Sequence, residues 1–135
     1  MLLDKQNLFS DDQAVTESVA STNVIDLGAD DSKVQDLNER NAELLVQVTE
    51  EDFAEGTSVA VSIQEDDDED FGDPTTLVSS DAIAVASLVQ GYKFKLGRVL
   101  PLLSKRYLRA YYTVVGTPSA GKITAGLLIN TQTNG

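Results

Sequence analysis

The 135-residue sequence predicts an all-β fold, an antiparallel sandwich or barrel with short helical turns. Two observations carry this. Several runs alternate apolar and polar residues with period two and are rich in β-branched or aromatic side chains, the pattern of strands with one face on a core. Turn residues separate these runs, with no regular strand-helix alternation.

Taken in chain order, Ser10-Asp11-Asp12-Gln13 reads as a capping box, yet no helical apolar face follows, so a strand is expected there, with Gln13–Ser18 as a short candidate. Asn23–Leu27 is a second short candidate, and the polar segment 30–40 has room for a helical turn. Leu44, Val46 and Val48 then oppose Glu43, Gln47 and Thr49, and Val59, Val61 and Ile63 oppose Ala60 and Ser62. Thr75–Val78 is a further short candidate. Residues 81–90 fit either a short helix ending at Gly91 or a buried strand followed by a turn. Tyr92, Phe94 and Leu96 share one strand face, with Lys93 and Lys95 on the other. Leu108, Ala110, Tyr112 and Val114 line one face of the next run, and Ile123, Ala125, Leu127 and Ile129 that of the last. Gly116-Thr117-Pro118-Ser119-Ala120-Gly121 between them predicts a hairpin. A single domain spanning 1–135 is expected, with an extended N-terminal arm at 1–12 and an acidic loop at 65–73.

Charge is distributed unevenly. All 22 acids lie between Asp4 and Asp81, alongside only three bases, whereas the seven charges after Gly91 are all basic. The net charge of -12 opposes nucleic acid and anionic membranes and favours protein partners. No apolar run approaches the roughly 18 residues of a membrane span. The start of the chain lacks the basic and apolar regions of a secretory signal. With no cysteine and no histidine, thiol chemistry, thiolate metal sites and imidazole acid-base catalysis are absent, and no enzymatic activity, cofactor or metal is expected.

Three motifs invite chemistry and fail on spacing or context. Starting at Asp66, a calcium loop of the EF-hand type needs Gly at its sixth position and Glu at its twelfth, where the chain has Phe71 and Leu77. The run 65–70 therefore reads as a solvated loop, a looser calcium site being the alternative. Residues 116–122 match the Gly, Gly and Lys positions of a phosphate-binding loop, but Ile123 stands where Ser or Thr should bind magnesium, and a strand pattern follows instead of a helix. Asp26, in an apolar setting, reads as a turn-capping residue at a strand end. The basic, aromatic stretch Tyr92–Val115 either balances acids within the fold or presents a cationic patch to an acidic neighbour.

Three stretches resemble the capsid cement proteins of tailed phages of the Bordetella-phage type. They are Leu3–Asp11 followed by Ser21–Gly28, then Gly91–Pro101, then Arg106–Gly116 running through Gly121–Gly126. The resemblance implies a jelly-roll sandwich without catalytic activity. It also implies a cement or decoration protein on the capsid exterior, made in the host cytoplasm, that bridges subunits of a major capsid protein of the HK97-like fold and associates as a dimer. A tail or connector protein is the alternative virion role. Interface candidates are Leu3, Leu8 and Phe9 in the N-terminal arm, and Lys93, Lys95, Arg106, Arg109 and Tyr111 in the basic region.

Overall fold

The computed structural model describes residues 8–26, 43–96 and 105–128, which form two antiparallel sheets around one hydrophobic core. The strands are β1 (Leu8–Ala14), β2 (Val19–Ala20), β3 (Ile25–Asp26), β4 (Glu43–Val48), β5 (Ser58–Asp66), β6 (Thr75–Ser79), β7 (Ile83–Ala84), β8 (Tyr107–Val115) and β9 (Lys122–Leu128). The first sheet has the order β1-β9-β4. Segment 91–94 extends it beyond β4: the Gly91 and Phe94 amides donate to the carbonyls of Val48 and Val46 at 2.9 and 2.8 Å, and the Val48 amide donates to the Tyr92 carbonyl at 2.9 Å. The second sheet runs β2-β8-β5-β6, with β3 also on β8 and β7 also on β5.

Followed along the chain, this arrangement is a jelly roll. The path stays in the second sheet from β2 to β3 and from β5 through β7 and otherwise alternates between sheets. With β2 and β3 sharing one edge of β8, and β6 and β7 one edge of β5, each sheet has four strand positions, and only β5 and β6 are neighbours both in the sheet and along the chain. Alternation places the core. Along β5 every second residue is buried, with Val59, Val61 and Ile63 fully inaccessible, and β8 contributes Leu108, Ala110 and Tyr112. From the opposite sheet come Phe9, Val46, Val48, Ile123 and Ala125. Full burial of a side chain of Val, Ile or Phe size contributes about 1.5–3 kcal/mol relative to exposure.

Three expectations change. The last two strands are not a hairpin: β8 lies in the second sheet and β9 in the first, so residues 116–121 cross between sheets and pack on the loop before β5, where the Ser119 amide donates to the Ala54 carbonyl at 2.8 Å. At Gly121 (φ +139) a Cβ would stand 2.4 Å from Cγ of Phe53, so the crossing needs glycine. The early strand is β1, beginning at Leu8 rather than Gln13, and it claims residues 8–12 of the expected arm. Its register shifts twice, with Asp12 at φ 49, which lets the consecutive residues Phe9 and Ser10 both be buried. Residues 81–90 hold neither a full helix nor a full strand, but β7 followed by one 3-10 turn at Val85–Ser87, with Gly91 at φ 92. The segment 30–40 and Ile129 lie outside the described residues, as does most of the arm.

A polar seam crosses the core. Ser10 Oγ of β1 donates to Gln13 Oε1 at 2.5 Å and lies 2.7 Å from the hydroxyl of Tyr112 on β8. A serine hydroxyl has one proton, so the tyrosine is the donor in the second bond. Burial pushes the Tyr112 hydroxyl pKa well above its ordinary value, so it stays protonated and able to donate. The Gln13 amide closes the seam, accepting from the Thr22 amide at 2.9 Å and donating to the Ala20 carbonyl at 3.2 Å.

Candidate functional site

The basic residues take up two different environments. Lys105, Arg106 and Arg109, at the start of β8, meet the acidic loop that follows β5. The backbone amides of Lys105 and Arg106 donate to Glu65 Oε1 and Asp67 Oδ1, each at 3.1 Å, and the Lys105 ammonium lies 3.6 Å from Asp67. Arg106 grips Asp26 of β3 with two bonds of 2.7 and 3.0 Å, and this pairing raises the guanidinium pKa further. Asp26 is thus an ion-pair partner that ties β3 to the start of β8; the turn it was expected to cap lies outside the described residues.

Arg109 is held differently. It points to the outer side of β8, where its Nε donates to Gln64 Oε1 at 2.8 Å and its guanidinium sits 4.4 Å from the Phe71 ring centroid and 5.5 Å from that of Tyr111. Phe71, at φ 52, folds the acidic loop back against this cation and is 5% exposed. Sequence reasoning placed Phe71 within the acidic loop at 65–73 and missed this contact. A lone aromatic residue in a run of carboxylates was the available signal.

Residues 67–70 are exposed, as a solvated loop requires, and the carboxylates around them also bond the loop's own backbone. Asp66 accepts from the backbone amides of Asp68 at 3.1 Å and Asp73 at 3.0 Å, and Asp68 accepts from that of Asp70 at 3.0 Å. The Asp73 amide foremost, with that of Asp68, lowers the Asp66 pKa. These carboxylates turn to the loop's own backbone, and among the described residues no group of three or more is placed to hold a metal ion.

Lys93 and Lys95 occupy the other environment. Both are exposed, on the outer side of the segment that extends the first sheet, while Phe94 and Leu96 point into the core, as the alternation predicts. Lys93 stands opposite Gln47, which stands opposite Thr124 on β9. Beyond it, Asp12 accepts from the hydroxyls of Thr49 and Thr124, and these bonds, that of Thr49 foremost, lower its pKa.

Of the remaining interface candidates, Leu8 is half-buried at the start of β1 opposite Gly126, and Phe9 is a core residue with no exposed surface. Leu3 lies outside the described residues. Tyr111 is half-buried on the outer face of the second sheet, where it lines an open groove of about 430 Å³ together with Ser62, Gln64, Thr76 and Thr113. The structure therefore gathers Arg109 and Tyr111 on β8 with Arg106 just before it, and places Lys93 and Lys95 on the opposite sheet.

Residues 9–127 match the family model Bbp16, a family of Bordetella phage proteins, so the match runs from β1 into β9 and takes in both sheets. No curated protein matches the chain.

Proposed function

Because the chain belongs to the Bbp16 family of Bordetella phage proteins, we propose that it is a structural virion component, a cement protein that binds the assembled head and bridges neighbouring subunits of a major capsid protein of the HK97-like fold. The observation that carries this reading is the family match over nearly the whole jelly roll, together with the cement-protein resemblance of the stretches around β1, Gly91–Pro101 and β8 to β9. The proposal includes a non-enzymatic role, a place on the capsid exterior after synthesis in the host cytoplasm, and association as a dimer.

The physics of such a role is repetition. One copy contributes modest energy at each contact, but a copy that touches two subunits makes its second contact at high effective concentration, and many equivalent copies add up over the shell. A rigid sandwich suits this, since little conformational freedom is lost on docking. The test is addition of purified protein to shells that lack it, followed by co-sedimentation and by heat or denaturant challenge. Bound protein in fixed ratio to the shell subunit and a higher shell melting temperature are expected. No binding at micromolar concentration refutes the cement role, and a few copies per virion assign the protein to the tail or connector.

A further inference from the structure

We propose that the outer face of the first sheet, β1-β9-β4 with segment 91–94, is the face that meets the shell, and that Lys93 and Lys95 dock on an acidic surface of the capsid protein. The inference rests on the cement reading and adds which side of the molecule makes the contact.

Charge singles out this face. In a chain of net charge -12, a cation is ordinarily surrounded by carboxylates. Lys105 and Arg106 follow that rule through Asp67 and Asp26, and Arg109 is stacked on Phe71 and bonded to Gln64. Lys122 lies near enough to Asp12 to help lower its pKa. Lys93 and Lys95 are exposed and form no ion pair among the described residues. Two positions apart on one strand, they project from the same side, beside the uncharged Gln47 and Leu45 of β4. The nearest described carboxylate in that row, Asp12, sits across β4 and β9 with its oxygens committed to two threonines. Among the described side chains the result is a pair of positive charges without an ion-pair partner along one rim of the sheet, complementary to an acidic partner and repelled by a basic one.

Lysines on an edge strand also guard against unwanted strand pairing. Charge reversal separates the two roles, because glutamate keeps the edge charged but inverts the complementarity. Lys93→Glu/Lys95→Glu is compared with Lys93→Arg/Lys95→Arg and wild type by co-sedimentation with purified shells lacking the protein, at low and high salt. Wild type and the arginine variant are expected to bind and to weaken as salt rises. The glutamate variant is expected to bind at least about tenfold more weakly at low salt. An unchanged urea midpoint for the glutamate variant establishes that the loss is in docking. Glutamate and wild-type proteins binding alike, with wild-type binding insensitive to salt, overturns this face while leaving the cement role intact. Wild type that fails to bind overturns both.

Discussion

Replacing Tyr112 by phenylalanine tests whether the two sheets are joined by a polar bond as well as by apolar packing. The Tyr112 hydroxyl, on β8, donates across the core to Ser10 Oγ of β1 at 2.7 Å, and Ser10 gives its own proton to Gln13. The substitution removes one buried bond without opening a cavity, and Ser10 keeps its bond to Gln13. The expected cost is about 1 kcal/mol, which lowers the melting temperature of a chain of this length by about 4 °C. Ser10→Ala is worse, at about 1–3 kcal/mol, because it leaves the fully buried Tyr112 hydroxyl without its acceptor. Combining the two removes that orphan, so the double variant should lose less than the sum of the single losses, by about 1 kcal/mol. Urea titration of the four proteins measures the cycle. Strict additivity within about 0.4 kcal/mol, or a costless Tyr112→Phe, would refute the assignment of a bond between the sheets.

Two further outcomes concern the ends of the strands. Asp12 and Asp66 both have folded pKa values below the ordinary 3.8, so their contribution is complete above that value and is lost as pH falls through the lowered ones. The melting temperature should therefore decline steeply only below about pH 4. Asp12→Asn/Asp66→Asn, less stable at neutral pH, should show a shallower acid decline; equal slopes would refute the linkage. Gly121→Ala places a methyl group against the Phe53 ring in a backbone conformation that L residues avoid, and is expected to lower stability by about 3 kcal/mol in urea, against no change if Phe53 moves aside freely.

The parts of the fold legible in the sequence are those in which alternation runs unbroken. β5 and β8 follow the expected faces, as do β4 and β9 where their side chains are described, and Lys93 and Lys95 lie opposite Phe94 as read. Alternation tells which side of a strand is buried but not which strand lies beside it. β8 and β9 each turn an apolar face to the same core, a condition met equally by pairing in one sheet and by facing each other from two, and a turn-rich loop between them fits both. β1 was hidden for another reason: its bulges break the period, so Phe9 and Ser10 are both buried where alternation allows only one. β2, β3 and β7 have two residues each, too few to carry a period.

At the candidate site, the exposure of the two lysines was legible, whereas the partners of Arg106 and Arg109 were not. Asp26 and Phe71 are far from β8 in sequence and are brought there by the crossovers of the fold. The contrast between acidic and basic thirds of the chain therefore does not survive folding as two charged halves: of the six described late cations, three are engaged by earlier residues around the start of β8, and Lys93, Lys95 and Lys122 lie on the opposite sheet.

The position of β9 has a consequence for how the protein is made. It is the last of the described strands and lies between β1 and β4, which are not neighbours in the sheet. Until β9 leaves the ribosome, those two earlier strands have no common partner, and the inner face of the first sheet has nothing to complete it. Folding of this sheet must follow synthesis of β9, and pairing β1 with β9 closes a loop of more than a hundred residues, which belongs to the slow, non-local class of folding steps. The two-sheet form is thus reached only once β9 has been made, and no partial sandwich with a complete first sheet precedes it.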